Sequence, residues 1–256
     1  MTHLIKNPEE IATIRRAGVI LGEILYKLRA SVVEGKSPID IEYHAIELFK
    51  EYGVEPGFKG YQGFPNICCI SVNDNVVHGI PNDTLMKNGD LVTIDCGVLI
   101  DGLNTDAAIS VIVGGDDKAT KKIQELNRIT KKAMHMGIRE VRPGAKVGDI
   151  GNAIAKVVEG AGFSIIRELT GHGIGYDLHE DPQILNYGKK GTGPALKPGM
   201  VICIEPIVSA GERFIHTLDD HWTIAVKDGS WGCQWEHTIL VTPNGHEILT
   251  EYVPTS

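Results

Sequence analysis

One stretch of this 256-residue chain recurs about 110 positions later, and that recurrence constrains the fold more than any other feature. Val33-Glu34-Gly35-Lys36-Ser37-Pro38-Ile39-Asp40 is echoed by Arg142-Pro143-Gly144-Ala145-Lys146-Val147-Gly148-Asp149. Gly35/Gly144, Asp40/Asp149 and Gly53/Gly162 are each 109 positions apart. Further on, Leu85–Asp95 (LMKNGDLVTID) is echoed by Ala195–Glu205 (ALKPGMVICIE). Gly89/Gly199, Leu91/Val201, Ile94/Ile204 and Asp95/Glu205 are each 110 apart. Two like strand–helix units that face each other bring equivalent strand ends to one centre. Asp95 and Glu205 then approach that centre from opposite halves. A duplicated unit with a polar centre implies one composite domain over residues 1–256, with repeats at about 10–115 and 120–245, rather than two independent ones.

The local signals agree with a mixed α and β chain. Asn7 is placed to cap a first helix, with Pro8 in its first turn and Glu9-Glu10 at its positive end. Ile11, Ile14, Leu21, Ile24, Leu25 and Leu28 then recur at helical spacing. A second helix is expected from Ser37-Pro38, with Asp40 three residues after the cap, to about Tyr52, ending at Gly53. Short apolar runs at Ile67–Val72, Leu91–Cys96 and Ala107–Val113 read as strands, and further helices as about Thr120–Met136 and Val147–Gly160.

Composition excludes several classes. The formal net charge is −8, with no basic stripe or block, which argues against a phosphate-backbone binder. Five cysteines, odd in number and without a C-x-x-C spacing, argue against a disulfide scaffold or a cysteine-rich zinc module and point to a reducing compartment. The helix-like start, with Glu9, Glu10, Arg15 and Arg16, does not read as a signal peptide, and no apolar run is long enough to span a membrane.

Five scattered residues carry the chemistry: Asp95, Asp106, His172, Glu205 and Glu236. Four carboxylates and an imidazole can hold two divalent metal ions, and so much negative charge beside apolar strand text makes sense only if cations neutralise it. Asp95 ends the run Leu91–Ile94; Asp106 follows eleven residues later, after the turn text Asp101–Thr105. A hairpin of adjacent strands places both on one face. Asp101 competes as a ligand but, beside Gly102, reads as a turn former. His172 sits in Thr170–Gly175, whose glycines allow close backbone approach but lack the lysine of a nucleotide loop. His179, seven residues on, is too far for a helical metal pair and is free to face substrate. His78 lies in a Gly/Pro-bounded loop, where a functional group is easily exposed. Oxygen-rich ligation with one imidazole suits Mn, Fe, Co or Zn and does not choose among them. The expected chemistry is hydrolysis by metal-activated water.

Asn73–Pro81 (NDNVVHGIP), Leu91–Asp106 with its two aspartates, Gly171–Glu180 (GHGIGYDLHE), Val201–Pro206 (VICIEP) and Gln234–Thr238 (QWEHT) together resemble the type I methionine aminopeptidases of the M24 metallopeptidases. The resemblance runs from about Asn7 to Leu249. It implies an α+β pita-bread fold, shared with creatinase and the proline peptidases: a pseudo-two-fold duplicated antiparallel sheet with helices on its outer face. It implies that Asp95 chelates the second metal, that Asp106 and Glu236 bridge both, and that His172 and Glu205 complete the first site. It places His78 and His179 on either side of the scissile peptide, His179 stabilising the oxyanion and His78 bonding the peptide amide. Glu205 is the implied general base. The implied reaction is removal of the N-terminal methionine of nascent chains, preferring a small second residue, by attack of a metal-bound hydroxide on the first peptide bond.

The methionine side chain would enter a pocket of Tyr61, Phe64, Cys69 and Trp222. Phe58 stands where a cysteine is common in the family and Leu178 where a phenylalanine is common, so bulk added at one is removed at the other. Ala107 replaces a usual Ser or Thr after the bridging aspartate, and is expected to weaken the metal site by losing a hydrogen bond. Retention of all five ligand types disfavours the metal-free binding proteins of the fold. An Xaa-Pro dipeptidase would carry an extra amino-terminal domain, for which there is no room before Asp95. The expectation is a cytoplasmic, bacterial-type monomer without membrane or sequence-specific nucleic-acid partners, whose ribosome contacts, if it makes them, lie on the catalytic domain.

Overall fold

The computed structural model describes residues 4–252. Helix α1 (Pro8–Arg29) opens on Asn7, whose Oδ1 accepts from the backbone N–H of Glu9 and Glu10 while Glu10 accepts from the N–H of Asn7. Such a reciprocal cap is worth about 1 kcal/mol. Helix α2 spans Pro38–Tyr52 and closes on Gly53, where a left-handed φ of 64° suits glycine. Helices α3 (Lys121–Ile138) and α4 (Val147–Gly160) repeat the pair in the second half.

Each helix pair covers the outer face of an antiparallel sheet. In the first half, Glu55–Pro56 and Cys68–Val72 pair with Leu91–Ile100, whose other edge pairs along its length with Leu103–Ile112. In the second half the order is Gly245–Ile248, His237–Thr242, Val201–Ile204, Gly171–Gly173, Glu180–Ile184. Val92, Ile94 and Cys96 point outward onto Leu21, Leu25 and Phe49; Ile202, Ile204 and Ile239 meet Leu126, Ile150 and Ile154. Each fully buried Ile or Leu contributes about 1.5–3 kcal/mol. Strand alternation then sends Thr93 and Asp95 to the opposite, inner face.

Equivalent backbone in the two halves makes equivalent bonds. Gly35 N–H donates to Met86 O at 3.0 Å and Gly144 N–H to Leu196 O at 2.9 Å. Gly89 N–H donates to Val113 O and Gly199 N–H to Val241 O, both at 2.9 Å. Asp40 and Asp149 accept from the backbone N–H of the residue three before them, Ser37 and Lys146. The half-sheets join where Ala108 and Glu236 form a β-bridge and Thr238 Oγ1 both accepts from Asp106 N–H and donates to Asp106 O.

The first-half hairpin is longer than the text suggests. Only Asp101 and Gly102, at φ 51° and 77°, form its turn; Leu103, Asn104 and Thr105 already belong to the strand. The polar side chains of Asn104 and Thr105 are satisfied inside: Thr105 donates to Val98 O, and the Asn104 amide to Gly175 O. No helix among the described residues is long and apolar enough to cross a membrane.

Candidate metal centre and substrate pocket

Asp95 lies opposite Ala108, and Asp106 opposite Gly97, so the hairpin sets both carboxylates on one inner face. Glu236 reaches the same place through its bridge to Ala108. These three carboxylates each offer an oxygen within 4.8 Å of the others'. His172 is the centre of the strand Gly171–Gly173, and Glu205 follows Val201–Ile204 directly. Asp95, Asp106 and His172 thus lie within strands, while Glu205 and Glu236 sit at strand margins. His172 Nε2 stands 3.5 Å from a Glu205 oxygen and 4.0 Å from one of Asp106.

The glycines beside His172 admit backbone. A Cβ on Gly171 would lie 2.3 Å from Cys203 O, and one on Gly173 2.2 Å from Asp181 O. The strand can therefore sink between its neighbours and bury the imidazole. His172 Nδ1 lies 2.9 Å from Gly173 O, which can only accept, so the proton is on Nδ1 and the Nε2 lone pair faces the carboxylates. Burial, reinforced by His179, holds the His172 pKa down at about 3, so the ring is neutral and fit to ligate.

The carboxylates are shifted the other way. Burial pushes Asp95 up to about 7 and Asp106, Glu205 and Glu236 well above the usual range, with mutual repulsion adding to the last three. Asp95 Oδ1, Asp106 Oδ1 and Glu236 Oε1 are buried without a hydrogen-bond partner. Buried, crowded, unpartnered acceptors beside an imidazole lone pair lack one thing, positive charge. A second group, His172, Cys203 and Glu236, shares Glu236 with the first, so the donor set fits two cations. Cys203 is buried inside an apolar strand. Its thiol is held protonated by burial and Glu236, which makes it a poorer partner for a hard ion than the Glu205 oxygen nearby.

Gln234 went unrecognised. Its amide Nε2 donates toward Asp95 Oδ2, Glu205 Oε2 and Glu236 Oε2 at 3.5, 3.3 and 3.4 Å, tying carboxylates from three segments together. Its own backbone carbonyl accepts from Ser110 Oγ at 2.7 Å. The signal for it in sequence is its place at the head of the QWEHT motif, two residues before Glu236.

A cavity of about 230 Å³ takes in the five expected ligands, both histidines and all six expected pocket residues. Phe64 packs edge-on against Phe58 and Trp222, with ring centroids 6.5 and 5.1 Å away. Phe58 also fills the space over Gly97, where a Cβ would lie 3.0 Å from its ring, and Leu178 belongs to the same apolar cluster. His78 has a left-handed φ of 55°, uncommon for a non-glycine. Burial and His179 hold its pKa down at about 4. His179 sits at the mouth, its ring edge-on to His172 at 4.3 Å and its Nδ1 2.9 Å from the Tyr61 hydroxyl. Ala107 does not face the metals: it alternates with Asp106 and packs into the helix-side core, so no hydrogen bond to a ligand is lost there.

A duplicated antiparallel sheet with a shared-carboxylate, two-cation centre at the end of an apolar pocket defines a dinuclear metallohydrolase. Residues 12–243 match the model of metallopeptidase family M24. The methionine aminopeptidase of Clostridium perfringens is 42% identical over 96% of this chain and 98% of its own length. The crystal structure of methionine aminopeptidase from Thermotoga maritima superposes with a TM-score of 0.94 at 43% identity, covering 97% of this chain and 99% of that one. Prolidase from Pyrococcus furiosus is similar at 27% identity and a TM-score of 0.79, but only 66% of that chain is covered. The chain belongs to metallopeptidase family M24. Its fold is the pita-bread fold, and it is a metal-dependent exopeptidase.

Proposed function

We propose that this chain is a methionine aminopeptidase that removes the N-terminal methionine of nascent chains with a small second residue, acting as one composite catalytic domain. The observation that carries the reading is that Glu236, shared by the two ligand groups, lines the same cavity of about 230 Å³ as Phe58, Phe64, Leu178 and Trp222, whose apolar faces suit an unbranched side chain. Asp95 would hold one divalent ion, His172 and Glu205 the other, and Asp106 and Glu236 both. When bound, the pair supplies Lewis acidity and lowers the pKa of water.

The protein's own groups do the rest. Phe58, Tyr61, Phe64, Cys69, Leu178 and Trp222 receive the methionine side chain and exclude water. Glu205 takes the proton of the attacking water and passes it to the nitrogen of the departing amine as the peptide C–N bond breaks. His179, kept neutral by partial burial, accepts the Tyr61 hydroxyl at Nδ1 and presents Nε2–H to the carbonyl oxygen as charge develops. His78 hydrogen-bonds the peptide nitrogen that leaves. Five buried free cysteines suit a cytoplasmic location.

The test is product release by protein stripped of metal and reloaded with Mn, Co, Fe or Zn, on Met-Gly-X-X, Met-Lys-X-X, Leu-Gly-X-X and Ala-Pro-X peptides. Metal-dependent release of Met from Met-Gly-X-X alone is expected. Cleavage of Ala-Pro-X instead would move the chain to the proline-specific branch.

A further inference from the structure

We propose that the buried ion pair between Lys6 and Glu180 is a positioning device for His179, which makes the segment before α1 part of the active-site architecture. The inference rests on the aminopeptidase reading for the role of His179, and its own geometry stands apart from it. Lys6 Nζ lies 2.6 Å from Glu180 Oε2, and the two side chains are 1% and 9% exposed. A lysine is almost never so buried unless paired.

The pair lies at one end of the loop that joins the strands Gly171–Gly173 and Glu180–Ile184 and carries Leu178 and His179. Glu180 pairs across from Gly173, next to His172. Its second oxygen, Oε1, accepts from Asp177 N–H at 3.2 Å, so one carboxylate grips both Lys6 and the loop's own turn. The lysine stem fills the space over Gly175, where a Cβ would lie 2.1 Å from Lys6 Cε. Glycine at 175 is thus what lets the cation in. Lys6 is itself fixed, since its N–H donates to Gly199 O at 2.8 Å. On the surface, Tyr176 Oη donates to Glu10 Oε1 at 2.6 Å, a second tie between the same two segments. Asn104 holds the other flank through its backbone and side-chain N–H groups, both donating to Gly175 O.

These contacts fix the backbone on both sides of His179, whose ring otherwise stands at an open mouth with the Tyr61 hydroxyl as its polar contact. A buried ion pair adds little net stability over an apolar pair of like shape, but removing one partner strands a charge. Geometry, rather than stability, is what this pair contributes. A misplacement of about 1 Å in a catalytic group can cost about 100-fold in rate.

The experiment uses the full chain with Mn. Lys6→Met alone strands Glu180 and is expected to fold poorly, so the informative variant is Lys6→Met/Glu180→Gln, which leaves no charge behind. Its kcat on Met-Gly-X-X should fall about 10- to 100-fold while KM moves less than about threefold. Mn affinity by calorimetry should stay within about twofold of wild type, since no ligand is touched. Amide hydrogen exchange over residues 174–179 should quicken about tenfold or more. Lys6→Arg, which keeps the charge, should restore most of kcat. A double variant with wild-type kcat and unchanged loop exchange overturns the proposal, as does a rate loss fully explained by lost Mn. A wild-type enzyme that releases no methionine sinks the aminopeptidase reading instead; the exchange measurement then still decides whether the pair positions the loop.

Discussion

The hydroxyl of Tyr61 lies 2.9 Å from Nδ1 of His179, across 118 positions of sequence, and so links the wall of the substrate pocket to the imidazole at its mouth. A donating hydroxyl leaves the His179 ring proton on Nε2, the tautomer that the proposed contact with a substrate carbonyl requires. Tyr61→Phe keeps the ring and deletes only this bond. One such hydrogen bond is worth about 0.5–1.5 kcal/mol, so kcat should fall about two- to tenfold. KM and metal affinity should barely move. If Tyr61 only lines the pocket, the Phe variant will match wild type in steady-state kinetics.

Glu236 belongs to both ligand groups, and its Oε1 is buried without a partner. Glu236→Gln should abolish activity by emptying both sites at once. The same change removes one of four crowded carboxylates, so the metal-free protein should gain about 1–2 kcal/mol at pH 8. Melting curves in chelator, alongside Mn titration calorimetry, would show a protein more stable without metal and unable to bind it. Destabilisation in chelator would mean that Glu236 contributes to packing that its charge does not explain.

The raised carboxylate values fix the sign of the pH dependence. A group such as Asp95, held at about 7 in the folded state against 3.8 ordinarily, keeps its proton better when folded. Its stabilising effect is complete below pH 3.8 and is lost as pH rises through about 7. Metal ions replace those protons, so the gain in melting temperature on adding Mn should be small near pH 5.5 and grow steadily to pH 8. A gain that is constant over this range would mean that the carboxylates are already ionised in the metal-free protein.

Gly171→Ala should be severe for a residue that bears no functional group. The added Cβ meets Cys203 O at 2.3 Å, backbone that cannot swing aside. The strand must move outward, carrying His172 with it. A loss of about 2–4 kcal/mol by thermal melting is expected, with weaker metal binding. Stability lost while Mn affinity stays intact would show that the strand can shift without moving the ligand.

Part of the site is legible in the sequence itself. Asp95 and Glu205 stand out because a carboxylate closing a Val/Ile run has no local excuse, while Asp106 and Glu236 are picked out chiefly by the family resemblance of the motifs around them. Helix ends were legible for the same local reason: Asn7, Ser37 and Gly53 act within one turn of themselves. The hairpin's reach was misjudged, since Asn104 and Thr105 look like turn residues until Gly175 and Val98 supply their partners. Ala107 was given a role toward the metals that strand alternation assigns to the opposite face.

The sequence alone therefore determined the duplicated architecture and the class of chemistry, because periodicity, capping and charge beside apolar runs are properties of neighbours along the chain. Tertiary structure alone decided what holds those groups in working order. Gln234 gathers carboxylates from three segments, Tyr61 meets His179, and Lys6 reaches Glu180 from 174 positions away. A neutral amide, a phenol and a lysine are ordinary in any sequence. Their meaning comes from the low-dielectric, water-poor interior into which folding brings them, where each polar atom must find a partner and that partner fixes its direction.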